Sequence, residues 1–486
     1  MKHHYALTAL TALLALTLTA AAAPPQDTPE GIARFRSLYK ELVETNTTYS
    51  GGSCTAAAEK MAARLERAGI AKSDLHLFSD PAYPKDGGLV AIYPGANPSR
   101  KAILLLAHID VVEAKREDWT RDPFTLIEEN GNFYARGAMD DKAEAAIWTD
   151  LFVRLKAEHY VPARTLKLAL TCGEEGGGQL NGAQWLSQHA PELIAAEFAL
   201  NEGAFGELDA SGHRVALEVE AAEKLPVNYQ LEVTNSGGHS SRPRKDNAIY
   251  TLAAALSKIG QYEFPAQFGD ANRGYFASMA DISAAKGDTH IAQAMRAFLK
   301  DPNDTKAIAI VSDADVSWSA MLRTTCVATM LSAGHAPNAL PQRARATVNC
   351  RIYPGTSPEA VRQTLEQVIG NAAVAVTIPT ERGNDRVATG SAAAAAPPLS
   401  RSILQPIEAL AAEFWPGLPV LPMLQPGATD GAFLNAVGIP TYGVEPVFVG
   451  PDLGHIHGLN EYLSVQSLME GREFLYRLVK RYVEAP

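Results

Sequence analysis

Apolar runs and helical patterns alternate along the first part of the chain. Residues 101–112 form an apolar run typical of a buried strand, and residues 140–158 have the spacing of an amphipathic helix. Residues 165–175 and 195–203 are two further apolar runs, and the segment 29–69 has mostly helical spacing. Strands that alternate with helices predict an α/β fold with a mainly parallel sheet and helices on both faces.

The pattern changes near residue 223. Residues 224–236 alternate like a half-exposed strand, and a helix, a strand hairpin from Cys326 to Arg351, a second helix and a last strand follow. This order predicts a small open-faced α+β domain inserted into a larger domain. The expected ranges are 27–222 and 386–486 for the larger domain, 223–385 for the inserted domain and 260–319 for a helical insertion within it.

The composition places the chain among globular proteins. Of its 486 residues, 47% are apolar and 20% are charged, which is too apolar for a disordered chain. Acidic residues outnumber basic ones by 54 to 43, giving a formal net charge of −11. A surface of this sign repels polyanions, so we expect no nucleic acid partner.

The N-terminus has the features of a secretory signal. Lys2 precedes an apolar stretch that ends in small residues from Ala20 to Ala23. Residues 1–23 are therefore predicted to be a signal peptide, and the mature protein to be periplasmic or secreted. No later stretch has the ~18 uninterrupted apolar residues of a membrane span, so we expect no membrane association after cleavage.

The four cysteines are too few for a disulfide scaffold, and none belongs to a CxxC motif. If the predicted hairpin is centred on Asn338, Cys326 lies opposite Cys350. An oxidising compartment allows a disulfide there, although directly opposed strand cysteines are usually strained. The sequence alone leaves this bridge open.

Polar side chains end each of the three apolar strands. His108 and Asp110 follow the first strand, Glu174 and Glu175 the second, and Glu202 the third. Ligands collect beyond the carboxyl ends of parallel strands, so these residues predict one shared site. Taken singly, His108 is better explained as a satisfied core histidine and Glu202 as a surface loop residue.

The pair Glu174 and Glu175 resists such an explanation. The two carboxylates are adjacent, three glycines follow them, and they have nothing evident to cap. Their mutual repulsion is tolerated next to a cation. One can then be a metal ligand while its neighbour acts as a general base towards metal-bound water.

Further candidates lie outside these strands. Asp140 and Asp141 lie at the start of the predicted helix, where capping explains at least one of them, and His455 and His457 lie near the C-terminus. Two histidines and three carboxylates at five strand or loop ends match the needs of two zinc ions that share a bridging carboxylate.

Seven motifs, taken together and in order, resemble one family. They are HxD, GAMDDK, GEE, NEGA, GGHSSRP, ATDGAF and HGLNEY. This set resembles the co-catalytic zinc metallopeptidases that include aminoacylase, carnosinase and glutamate carboxypeptidase, over about residues 30–484. The segments MLRTTCVATM, NALPQRARATVNCRIYPG and HIHGLNEYLSVQ are similar to the branch of carboxypeptidase S and the N-fatty-acyl amino acid hydrolases. The resemblance implies a catalytic α/β domain with an inserted ferredoxin-like lid or dimerisation domain.

The resemblance also implies a ligand set. It assigns His108 and Glu202 to one zinc ion, Glu175 and His457 to the other, and Asp140 to the bridge between them. Cobalt or manganese are expected substitutes for the two zinc ions of each subunit.

Other roles follow in the same way. Glu174 is implied as the general acid/base, Asp110 as the residue that orients His108, and His239 as a donor to the oxyanion, often in a partner subunit's site. Asn338 and Arg351 flank the hairpin turn and the following strand, where a guanidinium suits bidentate capture of a free carboxylate.

Asp430, in ATDGAF, has two readings. It either holds a metal-binding loop or caps the helix that follows it.

The predicted function is hydrolysis of the amide next to a free carboxylate, in a small peptide or an N-acyl amino acid. Glu202 favours this activity, because aminopeptidase-like and dipeptidase-like members of the family tend to carry Asp at that position. Two copies are expected to pair through the inserted domain. The alternatives are an aminopeptidase or dipeptidase of the same family and a catalytically silent zinc-binding protein, although Glu174 beside Glu175 argues against the silent protein.

Overall fold

The computed structural model describes residues 27–176, 180–379 and 396–485. The predicted signal peptide and the predicted domain boundary between residues 385 and 386 lie outside these residues. Among the described residues, no helix combines the length and the apolar character needed to span a membrane.

The described strands and helices are numbered in chain order. The strands are β1 Leu75–Asp80, β2 Tyr83–Tyr93, β3 Ile103–His108, β4 Ile127–Glu129, β5 Asn132–Tyr134, β6 Leu166–Thr171, β7 Phe198–Asn201, β8 Gly206–Leu208, β9 Arg214–Glu223, β10 Leu225–Thr234, β11 Gly238–His239, β12 Thr325–Ala333, β13 Ala339–Leu340, β14 Arg343–Ile352, β15 Ala375–Thr377, β16 Val420–Gln425, β17 Thr441–Gly443, β18 Phe448–Val449 and β19 Tyr462–Ser464. The helices are α1 Pro29–Val43, α2 Cys54–Arg67, α3 Lys142–Ala157, α4 Gly182–His189, α5 Pro191–Ile194, α6 Ala248–Gln261, α7 Asp270–Lys286, α8 Thr289–Lys300, α9 Thr305–Ala314, α10 Val316–Leu322, α11 Pro358–Ile369, α12 Arg401–Phe414, α13 Gly431–Ala436 and α14 Val465–Glu484.

The large sheet has the order β1-β2-β6-β3-β7-β17-β9-β8-β18, and β16 also pairs with β9. Its centre, β6-β3-β7-β17, is parallel, whereas β1 and β2 run antiparallel at one edge. The parallel centre was predicted from the apolar runs. The antiparallel edge was not, because the apolar run at residues 89–93 does not by itself indicate in which direction its strand pairs.

Both faces of the large sheet are covered. On β3, Ile103 and Leu105 belong to one core cluster with α1, α2, α3 and α14, whereas Leu104 and Leu106 belong to another with α4 and α13. Successive strand residues point to opposite faces, so burial on both faces explains why the strand has an uninterrupted apolar sequence. The predicted α/β fold with helices on both faces is confirmed.

A second sheet has the order β12-β14-β10-β15 and is antiparallel throughout. With α6 and α11 packed against it, it gives the element order β-α-β-β-α-β of a ferredoxin-like unit. This sheet, its two helices and the ribbon β11–β13 are called the lid below. The lid is the predicted α+β domain, and its exact boundaries stay a prediction.

The helical insertion comprises α7 to α10. Its core cluster contains Phe276, Met295 and Phe298 together with Leu421 and Met423 of β16. The insertion therefore packs on the large sheet, although in sequence it interrupts the lid.

Two disulfides include all four cysteines. Cys326 pairs with Cys350 across β12 and β14, in the register expected from a hairpin centred on Asn338. Cys54, the first residue of α2, pairs with Cys172, which follows β6. The second disulfide had no sequence signal, because its partners are 118 residues apart.

Candidate active site

Three neighbouring parallel strands end at the same edge of the large sheet. β3 ends at His108, which pairs in register with Thr171 at the end of β6, and β7 ends at Asn201. Because these strands are parallel, the residues after them emerge together. The polar residues that follow the three apolar runs are therefore gathered at one place, as the sequence predicted.

The structure brings the five predicted ligands into two groups. In the first group, His108 Nε2 lies 3.0 Å from Asp140 Oδ1 and 3.7 Å from Glu202 Oε1. In the second group, His457 Nε2 lies 3.0 Å from Asp140 Oδ2 and 2.9 Å from Glu175 Oε2. Within each group the donor atoms lie within 4.8 Å of one another. Asp140 belongs to both groups and directs one oxygen to each.

The donor chemistry of these groups suits divalent cations. Each group combines one imidazole nitrogen with carboxylate oxygens, which are common zinc ligands. Burial raises the pKa of Glu175 and Glu202, and neighbouring carboxylates raise them further. Burial also acts to raise the pKa of Asp140, but hydrogen bonds from His108 and His457 outweigh it and lower that pKa. Three crowded carboxylates with two histidines form a site whose charge a pair of cations would compensate.

Asp110 forms hydrogen bonds with His108 and with the backbone of the two adjacent glutamates. Its carbonyl oxygen accepts a hydrogen bond from His108 Nδ1 at 3.1 Å, which leaves Nε2 directed at Asp140. Its carboxylate accepts hydrogen bonds from the backbone amides of Glu174 at 3.4 Å and Glu175 at 3.2 Å. The acceptor for His108 is thus the backbone carbonyl of Asp110, while its carboxylate lies 3.5 Å from Nδ1. The role of Asp110 in orienting His108 stays a prediction, and its contact with the two glutamates was not predicted.

A buried ion pair joins two segments of the site. Arg136 Nη1 lies 2.7 Å from Glu461 Oε2, and Glu461 Oε1 accepts a hydrogen bond from the backbone amide of Asp140 at 3.2 Å. Arg136 Nη2 also donates to the carbonyl oxygen of Gly458, next to His457, at 2.8 Å. The pair therefore fixes Asp140 relative to His457, which is more than 300 residues away in sequence. The only sequence signal was the presence of Glu461 in HGLNEY.

Asp430 contacts the segments on either side of the loop that contains Glu174 and Glu175. Its carboxylate accepts hydrogen bonds from Thr171 Oγ1 at 2.9 Å and from Asn181 Nδ2 at 2.7 Å. Its side chain caps no amide of α13. Of the two readings of this residue, the structure favours support of the loop.

The other predicted site residues lie in the lid. His239 pairs with Ala339 in the ribbon β11–β13, and the carbonyl oxygen of Asn338 accepts a hydrogen bond from the amide of Ser240 at 3.0 Å. The ribbon thus brings His239 and Asn338 together. The side chain of His239 is exposed, and its Nδ1 accepts a hydrogen bond from the amide of Ser241 at 3.1 Å.

Arg351 lies elsewhere in the lid, on β14, where it faces Pro226 on one side and Thr325 on the other. The roles of His239, Asn338 and Arg351 stay predictions.

Comparison with known proteins relates this fold and site to one family. Residues 104–481 match the model of peptidase family M20/M25/M40. The chain is 28% identical over 392 residues to N-fatty-acyl-amino acid synthase/hydrolase PM20D1 of Homo sapiens, covering 79% of this chain and 75% of the relative. It is 27% identical over 403 residues to probable carboxypeptidase S-like 2 of Dictyostelium discoideum, covering 81% and 74%.

A solved structure has the same fold. The M20 family metallo-carboxypeptidase Sso-CP2 of Sulfolobus solfataricus matches with a TM-score of 0.65 and 18% identity, over 94% of this chain and 100% of that one. Together with the sequence match over most of the chain, this means that the chain belongs to peptidase family M20/M25/M40, whose members are metal-dependent enzymes that hydrolyse amide bonds.

Proposed function

We propose that the protein is a zinc-dependent hydrolase of the carboxypeptidase or N-acyl amino acid hydrolase type, which cleaves the amide next to a free carboxylate. The observation that carries this proposal is the pair of donor groups that share Asp140, with Glu174 adjacent to one of their ligands. The names of the two relatives, an N-fatty-acyl-amino acid synthase/hydrolase and a probable carboxypeptidase, support the same class of substrate.

His108, Asp140 and Glu202 would hold one zinc ion, and Asp140, Glu175 and His457 the other. Bound at these groups, zinc supplies Lewis acidity that activates water and polarises the scissile carbonyl. Cobalt or manganese would suit the same nitrogen and oxygen donors.

Glu174 is the proposed general acid/base. It belongs to neither donor group, yet its negative charge raises the pKa of Glu202, so it faces the same site. Asp110 fixes its backbone. From this position Glu174 takes a proton from the attacking water and returns it to the leaving amine.

The lid residues would recognise the substrate. His239 donates a hydrogen bond to the developing oxyanion. Arg351 forms a bidentate pair with the free carboxylate, and Asn338 supports that end of the substrate. This carboxylate contact is what separates the proposed activity from an aminopeptidase.

We propose a periplasmic or extracellular location and pairing of two copies through the lid. The first is supported by the two disulfides, because disulfides persist in oxidising compartments. The second is supported by β12, an edge strand with Val327, Met330 and Leu331 exposed, since such edges pair readily with another strand. Sedimentation of the wild type and of Leu331→Lys tests the pairing, and a wild-type monomer would contradict it.

The activity test compares substrates with and without the free carboxylate. Zinc-loaded protein is incubated with dipeptides and N-acyl amino acids and with their C-terminal amides. Cleavage restricted to free carboxylates is the expected result. Equal cleavage of the amides would indicate an aminopeptidase, and no cleavage at all would indicate a silent zinc-binding protein.

A further inference from the structure

A cleft of about 240 Å³ adjoins the donor groups. The loop between α1 and α2, which includes Thr48, lines it together with the segment that includes Val112, and the two segments are joined by a bridge between Thr48 and Val111. The disulfide Cys54–Cys172 and Glu175 also line it. The cleft therefore extends from the proposed metal centre into the larger domain.

Most charges along this cleft are already engaged. Glu175 pairs with His457, and the carboxylate of Asp110 accepts two backbone amides. Glu113 accepts hydrogen bonds from the amide and the hydroxyl of Ser50 at 2.8 and 2.7 Å. The methyl groups of threonine and valine and the disulfide are then available for contact, which suits an uncharged, largely apolar group.

The two remaining charged residues of the cleft have opposite signs. Lys85 and Asp86 are neighbours in β2 and bring one charge of each sign. A charged group in the cleft would therefore gain no net attraction from them.

The origin of the lining residues indicates which half of a substrate lies here. All of them fall between Thr47 and Glu175, in the larger domain. Asn338 and Arg351, to which the proposed function assigns the free carboxylate, lie in the lid. With the carboxylate end at the lid and the scissile carbonyl at the metal centre, the group attached to the carbonyl carbon points into the cleft.

We propose that this cleft binds the acyl group of the substrate and selects uncharged acyl groups by size; this inference rests on the proposed function. Pockets that enclose a whole ligand measure about 300–1,000 Å³, so this smaller cleft holds a short acyl chain or a single side chain. A longer chain has to leave past Tyr49 and Lys85, which are both exposed. Each further methylene that stays inside is expected to raise kcat/KM roughly fourfold.

The test measures kcat/KM for one amino acid carrying acetyl, butanoyl, hexanoyl or octanoyl groups. Val112→Phe narrows the cleft and is expected to lower the hexanoyl-to-acetyl ratio roughly tenfold or more, which corresponds to the loss of two buried methylenes. Val112→Ala widens it and is expected to shift the preferred chain length upwards. Val161→Phe, at an exposed position between α3 and β6, is the matched control and keeps the wild-type ratio.

The outcomes separate the inference from the proposed function. Hydrolysis by both Val112 variants with the wild-type chain-length ratio would overturn the inference alone. The inference also fails alone if Val112→Phe changes the preference for the amino acid while the acyl preference stays constant. If the wild type cleaves none of the free-carboxylate substrates, the proposed function fails and the inference fails with it.

Discussion

The edge of the large sheet and the lid differ in how far their site residues are assembled. At the sheet edge, five donor residues converge from strand ends and loops, and Asp110, Asp430 and the pair Arg136–Glu461 hold the loops that carry them. In the lid, His239 is exposed on a two-stranded ribbon and Arg351 lies on a different strand.

This difference separates two kinds of task. Metal ligands need their spacing fixed before an ion arrives, whereas groups that contact the substrate can be brought together when it binds. A substitution at the sheet edge should therefore affect the chemical step, and one in the lid should affect substrate recognition or the oxyanion.

The largest effect is expected from Glu174→Gln. Loss of the general base should lower kcat by about 10²–10⁴-fold, while zinc content stays unchanged because Glu174 belongs to neither donor group. Steady-state kinetics and elemental analysis check both parts. Glu59→Gln, at an exposed position on α2, is the control. Normal turnover in Glu174→Gln would contradict the assignment of the general base.

His239→Ala tests whether the lid takes part in the chemical step. Removal of one oxyanion donor should lower kcat by about 10²–10³-fold without changing zinc content. The control is His290→Ala, which removes an exposed histidine of α8 outside the ribbon. This variant should have the wild-type kcat. If His239→Ala changes KM alone, the histidine binds the substrate and does not stabilise the oxyanion.

Arg351→Ala should act mainly on kcat/KM. Loss of a charged hydrogen-bonded pair costs about 1.5–3 kcal/mol, which is roughly 10–150-fold. Arg351→Lys should recover part of this loss, because it keeps the charge but not the two parallel hydrogen bonds. C-terminal amides provide the internal reference, since any residual cleavage of them should not change. An equal loss for amides and free acids would rule out carboxylate capture.

Removal of a disulfide is expected to have the smallest effect on kcat. Because one disulfide lies beside the sheet edge and the other in the lid, the two removals compare these two regions directly. In the chain-entropy model, loss of Cys54–Cys172 costs about 5 kcal/mol of stability and loss of Cys326–Cys350 about 3 kcal/mol. Cys54→Ala/Cys172→Ala should therefore lower Tm further than Cys326→Ala/Cys350→Ala. Only the first double variant should also lower kcat, because Cys172 lies two residues before Glu174. A fall in kcat confined to the lid variant would reverse this comparison.

Much of the site was predictable because its signals are local in sequence. An apolar run that ends in His108, or in two adjacent glutamates, identifies both the strand and the edge at which its polar residues emerge. The opposition of Cys326 and Cys350 followed from the symmetry of one hairpin, although the sequence could not decide whether they are bonded.

The supporting contacts were not predictable, because they join distant segments. Cys54 lies in an ordinary amphipathic helix, and Arg136 has no feature that distinguishes it from a surface arginine until Glu461 is placed beside it. The insertion of α7 to α10 shows the same limit, since its sequence position lies in the lid while its core packs on β16. Such pairings depend on the tertiary fold and have no local pattern.

The shared carboxylate of Asp140 links the two donor groups thermodynamically. Its spacing is already fixed without an ion, so a first ion gains little by ordering it. A first dication instead neutralises part of the negative charge and repels a second one, so occupancy of one group lowers the affinity of the other, and linkage makes this effect reciprocal. If zinc is the metal, the two ions should then bind in two steps, with a singly loaded protein populated at intermediate zinc concentrations. The concentration of free zinc would in that case grade the loading of the protein.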